Sequence, residues 1–189
     1  MRRVHAMPFG AEMIAGGTRF ALWAPTAQDV SLLLDGAEMP IPEVQGGWRE
    51  FIVPSARTGS RYGFRIDGKL VVPDPASRWQ PDDVHDLSQV IDPRAYDWSD
   101  VGWKGRPWEE TVLYELHVGT VTLEGTFAAL TSKLDALKET GITAIEFMPI
   151  ADFPGRRGWG YDCVLPFAPD AAYGTPDDLK RLIDHAHAI

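Results

Sequence analysis

The chain has 189 residues, of which 44% are hydrophobic and 24% are charged, which suits one globular domain or two small ones and disfavours disorder. Its 27 acidic and 18 basic residues give a net charge of −9, which disfavours nucleic-acid and anionic membrane partners and favours a neutral substrate. The single cysteine, Cys163, excludes an intramolecular disulfide and a thiolate metal cluster within one chain. No apolar run could span a membrane, and residues 1–5 are not followed by the apolar core of a signal peptide, so we expect a cytoplasmic protein.

Residues 1–73 are predicted to form a small antiparallel β domain. Apolar and polar positions alternate over much of 18–73, for example at Tyr62, Phe64 and Ile66. Turn signals occur at 35–36 (DG), 46–47 (GG) and 67–68 (DG). This spacing is typical of a β-sandwich with short hairpins.

Residues 74–110 form a connector that is rich in proline, aspartate and tryptophan. Large rings anchor a chain segment, whereas loose linkers are rich in glycine and serine, so the connector is predicted to be ordered. Trp98, Trp103 and Trp108 could bind glycan, but docking of the connector against the following domain is the favoured interpretation.

Residues 111–189 have the order βαβα. The pattern predicts a strand over 112–118, a helix over about 126–139, a strand over 142–149 and a helix from 176 to the end. Thr126 and Thr175 are the predicted N-caps, and Asp178 would complete a capping box with Thr175. The second strand is largely apolar, as expected for a parallel strand that is covered on both faces.

The loop at 158–162 (GWGYD) places aromatic rings beside a carboxylate between the second strand and the last helix. Such rings suit the apolar faces of a pyranose, and carboxylates suit its hydroxyl groups. Loops that follow parallel strands carry the functional residues of α/β barrels. We therefore take Tyr161, Trp159 and Asp162 as candidate substrate-binding residues, with no cofactor and no metal site.

Other candidate groups have structural explanations. His117 and Glu115 could act as a base and its orienting partner, or as a hydrogen-bonded structural pair. His185 and His187 are two residues apart on a helix and cannot form an i, i+4 zinc pair. A lone Cys163 with no base nearby in sequence is a poor nucleophile. Asp177 and Asp178, at the start of the helix, would favour its dipole.

Seven stretches in order along the chain resemble the α-amylase superfamily and, within it, the maltooligosyltrehalose trehalohydrolase family. They are 6–12 (AMPFGAE), 73–78 (PDPASR), 80–85 (QPDDVH), 105–110 (GRPWEE), 114–120 (YELHVGT), 151–157 (ADFPGRR) and 158–162 (GWGYD). The resemblance covers essentially the whole chain.

The resemblance implies an immunoglobulin-like β-sandwich of the glycan-binding type, followed by the first two βα units of a (β/α)8 barrel in an α+β multidomain protein. It implies that Tyr161 stacks on the sugar and that Trp159 and Asp162 contact it. The family hydrolyses the α-1,4 bond next to a terminal trehalose with retention, using carboxylates on later barrel strands. Because the chain stops at Ile189 in mid-helix, we expect a piece of such an enzyme that is inactive alone.

Several alternatives stay open. A glycogen-branching enzyme has a similar sandwich and similar first strands, a non-catalytic module could bind maltooligosaccharide without cleaving it, and the piece could be inert.

Cys163 stands where relatives usually have glycine, and a positive φ there would cost about 1 kcal/mol or more. An unclosed barrel would leave open strand edges, so self-association is also expected.

Overall fold

The computed structural model describes residues 7–189, and our expectations for residues 1–6 lie outside it. The N-terminal part contains these strands: β1 (Gly10–Ile14), β2 (Gly17–Trp23), β3 (Val30–Leu34), β4 (Ala37–Pro40), β5 (Glu43–Gln45), β6 (Trp48–Val53), β7 (Arg61–Ile66), β8 (Leu70–Val72) and β9 (Ser88–Gln89). They form two antiparallel sheets, ordered β1-β2-β6-β5 and β4-β3-β7-β8, with β9 paired to β7.

The two sheets enclose one apolar core. Period-two alternation turns Phe20, Leu32 and Phe64 inward, where they are fully buried together with Tyr62. The tight turns between strands use Asp35-Gly36 and Asp67-Gly68, in which all four residues have positive φ. The predicted β-sandwich is confirmed.

The connector contains a buried polar network, and its strand β9 pairs with β7 of the sandwich. The Gln80 side chain is fully buried, donates to the carbonyls of Asp83 (3.0 Å) and Asp86 (2.7 Å), and accepts from the hydroxyls of Ser77 and Ser88. Because a buried amide requires such partners, this network holds residues 77–88 of the connector together. The second half of the chain therefore follows an ordered connector rather than a flexible linker.

A 3-10 helix at Trp108–Glu110 leads into the remaining elements. They are β10 (Leu113–Leu116), α1 (Val118–Val121), α2 (Phe127–Thr131), α3 (Leu134–Glu139), β11 (Ala144–Phe147), β12 (Ala151–Asp152), β13 (Leu165–Pro169) and α4 (Pro176–Ala188). Strands β10 and β11 are parallel, with Leu113 opposite Ala144 and Leu116 opposite Phe147. This pair is the beginning of a parallel barrel, as the sequence predicted.

The single helix predicted over 126–139 is instead two helices. The Ser132 hydroxyl bonds to the Ala129 carbonyl (2.7 Å), and the Lys133 N–H bonds to the Leu130 carbonyl three residues back (2.8 Å). These bonds tighten the chain at residues 132–133 and end α2, because serine and threonine hydroxyls compete for the carbonyls that continue a helix. The first strand is also shorter than predicted, since α1 begins after His117.

The predicted helix starts are confirmed. Thr126 caps α2 through the Ala129 N–H, and Thr175 and Asp178 form a reciprocal capping box on α4 with Pro176 as the first helical residue. Leu182 on the apolar face of α4 is fully buried in the second core. In the part of the chain that the structure describes, none of the helices combines the length and the apolar character needed to cross a membrane.

Candidate functional site

The aromatic loop lies at the carboxyl ends of the two parallel strands, on a hairpin that sequence reasoning missed. Strands β12 and β13 pair antiparallel, with Ala151 opposite Pro169 and Asp152 opposite Leu165. Prolines at 166 and 169 hid β13 from a propensity argument, because proline is rare within sheets except at their edges. The hairpin projects the segment 153–164, which includes all three candidate sugar-binding residues.

Two glycines fix the path of this loop. A Cβ on Gly158 would lie 2.9 Å from the Phe153 ring, and a Cβ on Gly160 would lie 2.3 Å from the Pro149 carbonyl oxygen. Gly160 also has a φ of +88°, which favours glycine. The two glycines of the 158–162 segment therefore lie where the loop backbone packs closely against Phe153 and Pro149, and a larger residue would clash there.

His117 anchors the start of the loop. Its Nε2 lies 2.8 Å from the Gly158 carbonyl oxygen, which can only accept, so Nε2 carries the proton in this contact. The Tyr173 hydroxyl lies 3.4 Å from the same nitrogen. Glu115 is exposed on β10, and within residues 7–189 the His117 ring contacts Gly158 and Tyr173 rather than Glu115, so the suggested base-and-orienter pair does not form.

Cys163 anchors the other end of the loop. Its Sγ lies 2.7 Å from the Gly160 carbonyl oxygen and 3.1 Å from the Ala151 carbonyl oxygen, and its single S–H is shared between these two acceptors. Burial raises the pKa of the Cys163 thiol, which further disfavours a nucleophilic thiolate. Cys163 does not have a positive φ, so the cost that such a backbone would carry does not arise; Asp35 and Asp67 are the non-glycine residues with positive φ in the described chain.

The candidate binding side chains project from this anchored backbone. Trp159 is 78% exposed, Tyr161 is 68% exposed, and Asp162 is exposed beside them. Neither ring belongs to a core cluster. The loop therefore presents two aromatic faces and a carboxylate to solvent within four residues.

An acidic pocket lies behind the loop, and sequence reasoning did not predict it. Asp152 and Asp170 are 2% exposed, and together with Asp83 of the connector they line a cavity of about 240 Å³. Asp170 accepts from the backbone N–H groups of Phe153 and Ala172, whereas the buried Oδ2 of Asp152 has no partner. Burial and the charges of Asp170 and Asp83 raise the pKa of Asp152 to about 7.

These carboxylates do not form a metal centre. Within residues 7–189, no three side chains of the metal-ligating types are placed to hold an ion together. No local sequence pattern could have indicated the pocket, because Asp83, Asp152 and Asp170 are far apart in the chain and meet only in the folded structure. The pocket holds a buried carboxyl group, that of Asp152, which is easily protonated.

The connector docks on α4 at Trp103. Trp103 stacks on His187 with ring centroids 3.6 Å apart and an interplanar angle of 10°, and His187 Nδ1 lies 2.8 Å from an Asp100 oxygen. Trp108 is 76% exposed. The docking interpretation therefore holds for Trp103, and His187 is a packing residue.

Two family models match the chain. Residues 8–81 match carbohydrate-binding module 48, the isoamylase N-terminal domain, and residues 89–189 match the alpha amylase catalytic domain. A malto-oligosyltrehalose trehalohydrolase from Deinococcus radiodurans is 46% identical over 95% of this chain and 30% of its own length. One from Saccharolobus solfataricus is 41% identical over 97% of this chain and 33% of its own length.

A solved structure supports the same placement. The crystal structure of a candidate alpha amylase from Salmonella typhimurium superposes with a TM-score of 0.94 at 49% identity, over 97% of this chain and 32% of that one. The chain thus spans about a third of the length of the curated relatives that it matches. With its second half inside the catalytic-domain model and its sequence similar to these relatives, the chain belongs to the α-amylase family and, within it, matches the malto-oligosyltrehalose trehalohydrolases.

Proposed function

We propose that this chain supplies the N-terminal part of a glycoside hydrolase that cleaves the α-1,4 bond next to the terminal trehalose of maltooligosyltrehalose and releases trehalose. The observation that carries the proposal is the similarity to malto-oligosyltrehalose trehalohydrolases over nearly the whole chain, across both the sandwich and the barrel portion. A neutral oligosaccharide also suits a chain with a net charge of −9. The cytoplasmic location stays a prediction.

In this proposal the described site binds the substrate and the bond-breaking acids belong to other residues of the whole enzyme. Tyr161 stacks on a sugar ring, Trp159 extends the aromatic surface, and Asp162 accepts hydrogen bonds from hydroxyl groups. The anchors at His117 and Cys163 support this role, because a loop that is ordered before binding loses less conformational entropy on binding. Retaining hydrolysis needs two carboxyl groups about 5 Å apart. We propose that residues of the parent enzyme outside these 189 provide them.

Activity of the whole parent enzyme tests the proposal. Tyr161→Ala in the parent should reduce trehalose release from maltooligosyltrehalose by at least about tenfold, whereas Tyr161→Phe, which keeps the ring, should retain most of it. The 189-residue chain alone should release none. New α-1,6 branches in place of trehalose would instead show a glycogen-branching enzyme and overturn the proposal.

A specific observation favours a second role, which is binding of maltooligosaccharide by the sandwich itself. Residues 8–81 match a carbohydrate-binding module, and this domain has its own complete core. Titration of the 189-residue chain carrying Trp159→Ala and Tyr161→Ala with maltoheptaose, followed by tryptophan fluorescence, tests this role. A saturable change supports it, and a flat titration excludes glycan binding by the sandwich.

A further inference from the structure

Three carboxyl groups from three separate segments meet behind the aromatic loop (residues 153–164). Asp83 belongs to the connector, Asp152 ends β12 and Asp170 follows β13, and all three line the same cavity. Asp152 and Asp170 are almost fully buried. The cluster therefore lies at the base of the hairpin that carries the loop.

Two of these carboxyl groups hold the first residues of the loop through its backbone. The Phe153 N–H donates to Asp170 Oδ2 at 3.1 Å. The Gly155 N–H donates to Asp83 Oδ2, also at 3.1 Å. The Phe153 ring in turn packs so closely on Gly158 that a Cβ there would lie 2.9 Å from it. The path of the loop up to its exposed rings therefore depends on where these two carboxylates stand.

The third carboxyl group lies where the two ends of the loop meet. The main-chain carbonyl of Asp152 accepts from the Val164 N–H at 2.9 Å. Its side-chain Oδ2 is buried and has no partner within the described residues, which favours a neutral carboxyl group. Burial, and after it the charges of Asp170 and Asp83, raise the pKa of Asp152 to about 7. Burial raises the pKa of Asp170 as well, but its two N–H donors favour its charged form.

The other titratable and charged groups around the cluster keep their charge across the range from about pH 4 to 8. Asp82 and Arg156 line the cavity and are exposed, so water screens them, and Asp82 is also paired with Arg61 of β7. Burial raises the pKa of the Cys163 thiol and raises that of the Tyr173 hydroxyl to about 12, so both stay protonated.

From this geometry we propose that Asp152 is a pH-sensitive positioning residue for the aromatic loop. Its neutral carboxyl group lets Asp170 and Asp83 hold the loop, whereas its ionisation places a third negative charge beside them and loosens the loop. Opening returns Asp152 to water, so opening becomes easier as pH rises from about 4 to about 7 and levels off above that. That the loosened loop binds sugar less well rests on the proposed function, whereas the loosening itself does not.

Amide hydrogen exchange of the 189-residue chain at pH 5 and pH 8, read by mass spectrometry and corrected for the chemical exchange rate, tests the proposal. Relative to β6 of the sandwich, residues 153–164 should open at least about tenfold more often at pH 8. Asp152→Asn should abolish most of this difference, because an amide stays neutral. Asp83→Asn removes one repelling charge and should reduce it, and Asp86→Asn, at an exposed position of the connector, should leave it unchanged.

Two results would overturn the positioning role. One is a pH effect on the loop that merely follows the sandwich, and the other is a pH effect of equal size in the wild type and in Asp152→Asn. If Asp152→Asn does not fold, Asp83→Asn decides, and a pH effect as large as that of the wild type overturns the role.

Maltoheptaose separates this proposal from the proposed function. Added protection of residues 153–164 by the sugar, weaker at pH 8 than at pH 5, supports both. Protection by the sugar without a pH effect on the loop overturns only the positioning role of Asp152. A loop that opens with pH but that maltoheptaose never protects supports the positioning role and overturns sugar binding by the loop.

Discussion

The side-chain Nε2 of His117 lies 2.8 Å from the carbonyl oxygen of Gly158, which joins the end of the first parallel strand to the start of the aromatic loop. The two residues are 41 positions apart in the chain. This hydrogen bond holds the start of the loop against the β10–β11 strand pair, although the side chains of the loop are exposed. His117 is therefore a positioning residue for the proposed sugar contacts.

We predict that His117→Phe weakens maltoheptaose binding by the loop while the fold persists. The substitution keeps a ring of similar size but removes the donor, and an unpaired carbonyl in a partly buried position costs about 1–3 kcal/mol. Titration calorimetry of the 189-residue chain with maltoheptaose compares the affinity of the variant with that of the wild type. Glu115→Gln, at an exposed position of the same strand, should leave the affinity unchanged, and an unchanged affinity in His117→Phe would contradict the positioning role.

Two glycines of the same hairpin provide a matched comparison. Gly155 and Gly160 both have positive φ, at +80° and +88°, but a Cβ on Gly155 would meet open space, whereas one on Gly160 would lie 2.3 Å from the Pro149 carbonyl oxygen. Gly155→Ala should therefore lower the free energy of unfolding by about 1 kcal/mol from backbone strain alone. Gly160→Ala should lower it clearly more, and urea unfolding measures both. Equal losses of unfolding free energy in the two variants would show that the backbone at Pro149 shifts to make room for the added methyl group.

Local signals in the sequence predicted much of the framework but little of the hairpin. The caps at Thr126 and Thr175 and the alternation around Phe64 act within a few residues, so they can be read without tertiary information. The break between α2 and α3 depends on which carbonyl the Ser132 hydroxyl selects. Sequence alone does not decide that competition.

The candidate site shows the same division. The sequence indicates Trp159 and Tyr161 as candidates because they are only two positions apart and chemically distinctive. The anchor from His117 and the pocket around Asp152 depend on contacts between residues that are far apart in sequence. The missed strand β13 contains prolines, so its pairing with β12 is a tertiary outcome that opposes local propensity.

Asp152 should make stability depend on pH. Its folded pKa, about 7, exceeds the ordinary value of 3.8, so the folded state holds the proton more tightly than the unfolded chain does. The stability from this group is therefore full below about pH 4 and is lost as pH rises through 7. Asp152→Asn should be more stable than the wild type at pH 8, by at most about 4 kcal/mol, and the advantage should shrink at pH 5.

Thermal unfolding at pH 5, 6.5 and 8 measures this difference. Asp162→Asn, which removes an exposed carboxyl of the same hairpin, serves as the control and should change the midpoint little at any pH. If Asp152→Asn follows the wild type in parallel across the three values, the buried carboxyl group does not titrate as proposed.

The sandwich and connector should be coupled through Tyr62 and Asp74. The Tyr62 hydroxyl donates to Asp74 Oδ2 at 2.7 Å, both residues are buried, and burial raises the pKa of both groups. Tyr62→Phe and Asp74→Asn should each destabilise the chain by about 1–3 kcal/mol. Because they share one hydrogen bond, the double variant should lose less than the sum, and additive losses in urea unfolding would contradict the coupling.

The two-stranded β10–β11 sheet should cause self-association of the 189-residue chain. Each of these strands pairs only with the other within the described residues, and Leu113 and Tyr114 on β10 are exposed. Eight strands normally close such a barrel, and an unpaired edge with apolar side chains recruits strands from other chains. We therefore expect a mass that rises with concentration in sedimentation velocity.

A charge on the open edge tests the cause of this association. Leu113→Lys should shift the chain toward monomer, because lysine on an exposed strand disfavours pairing between edges. Leu70→Lys places the same charge on β8, an outer strand of the sandwich, and should leave the association intact. If the wild type stays monomeric at every concentration, the strand edges are protected. If Leu70→Lys acts like Leu113→Lys, a general increase in solubility explains both results, and pairing through β10 is excluded.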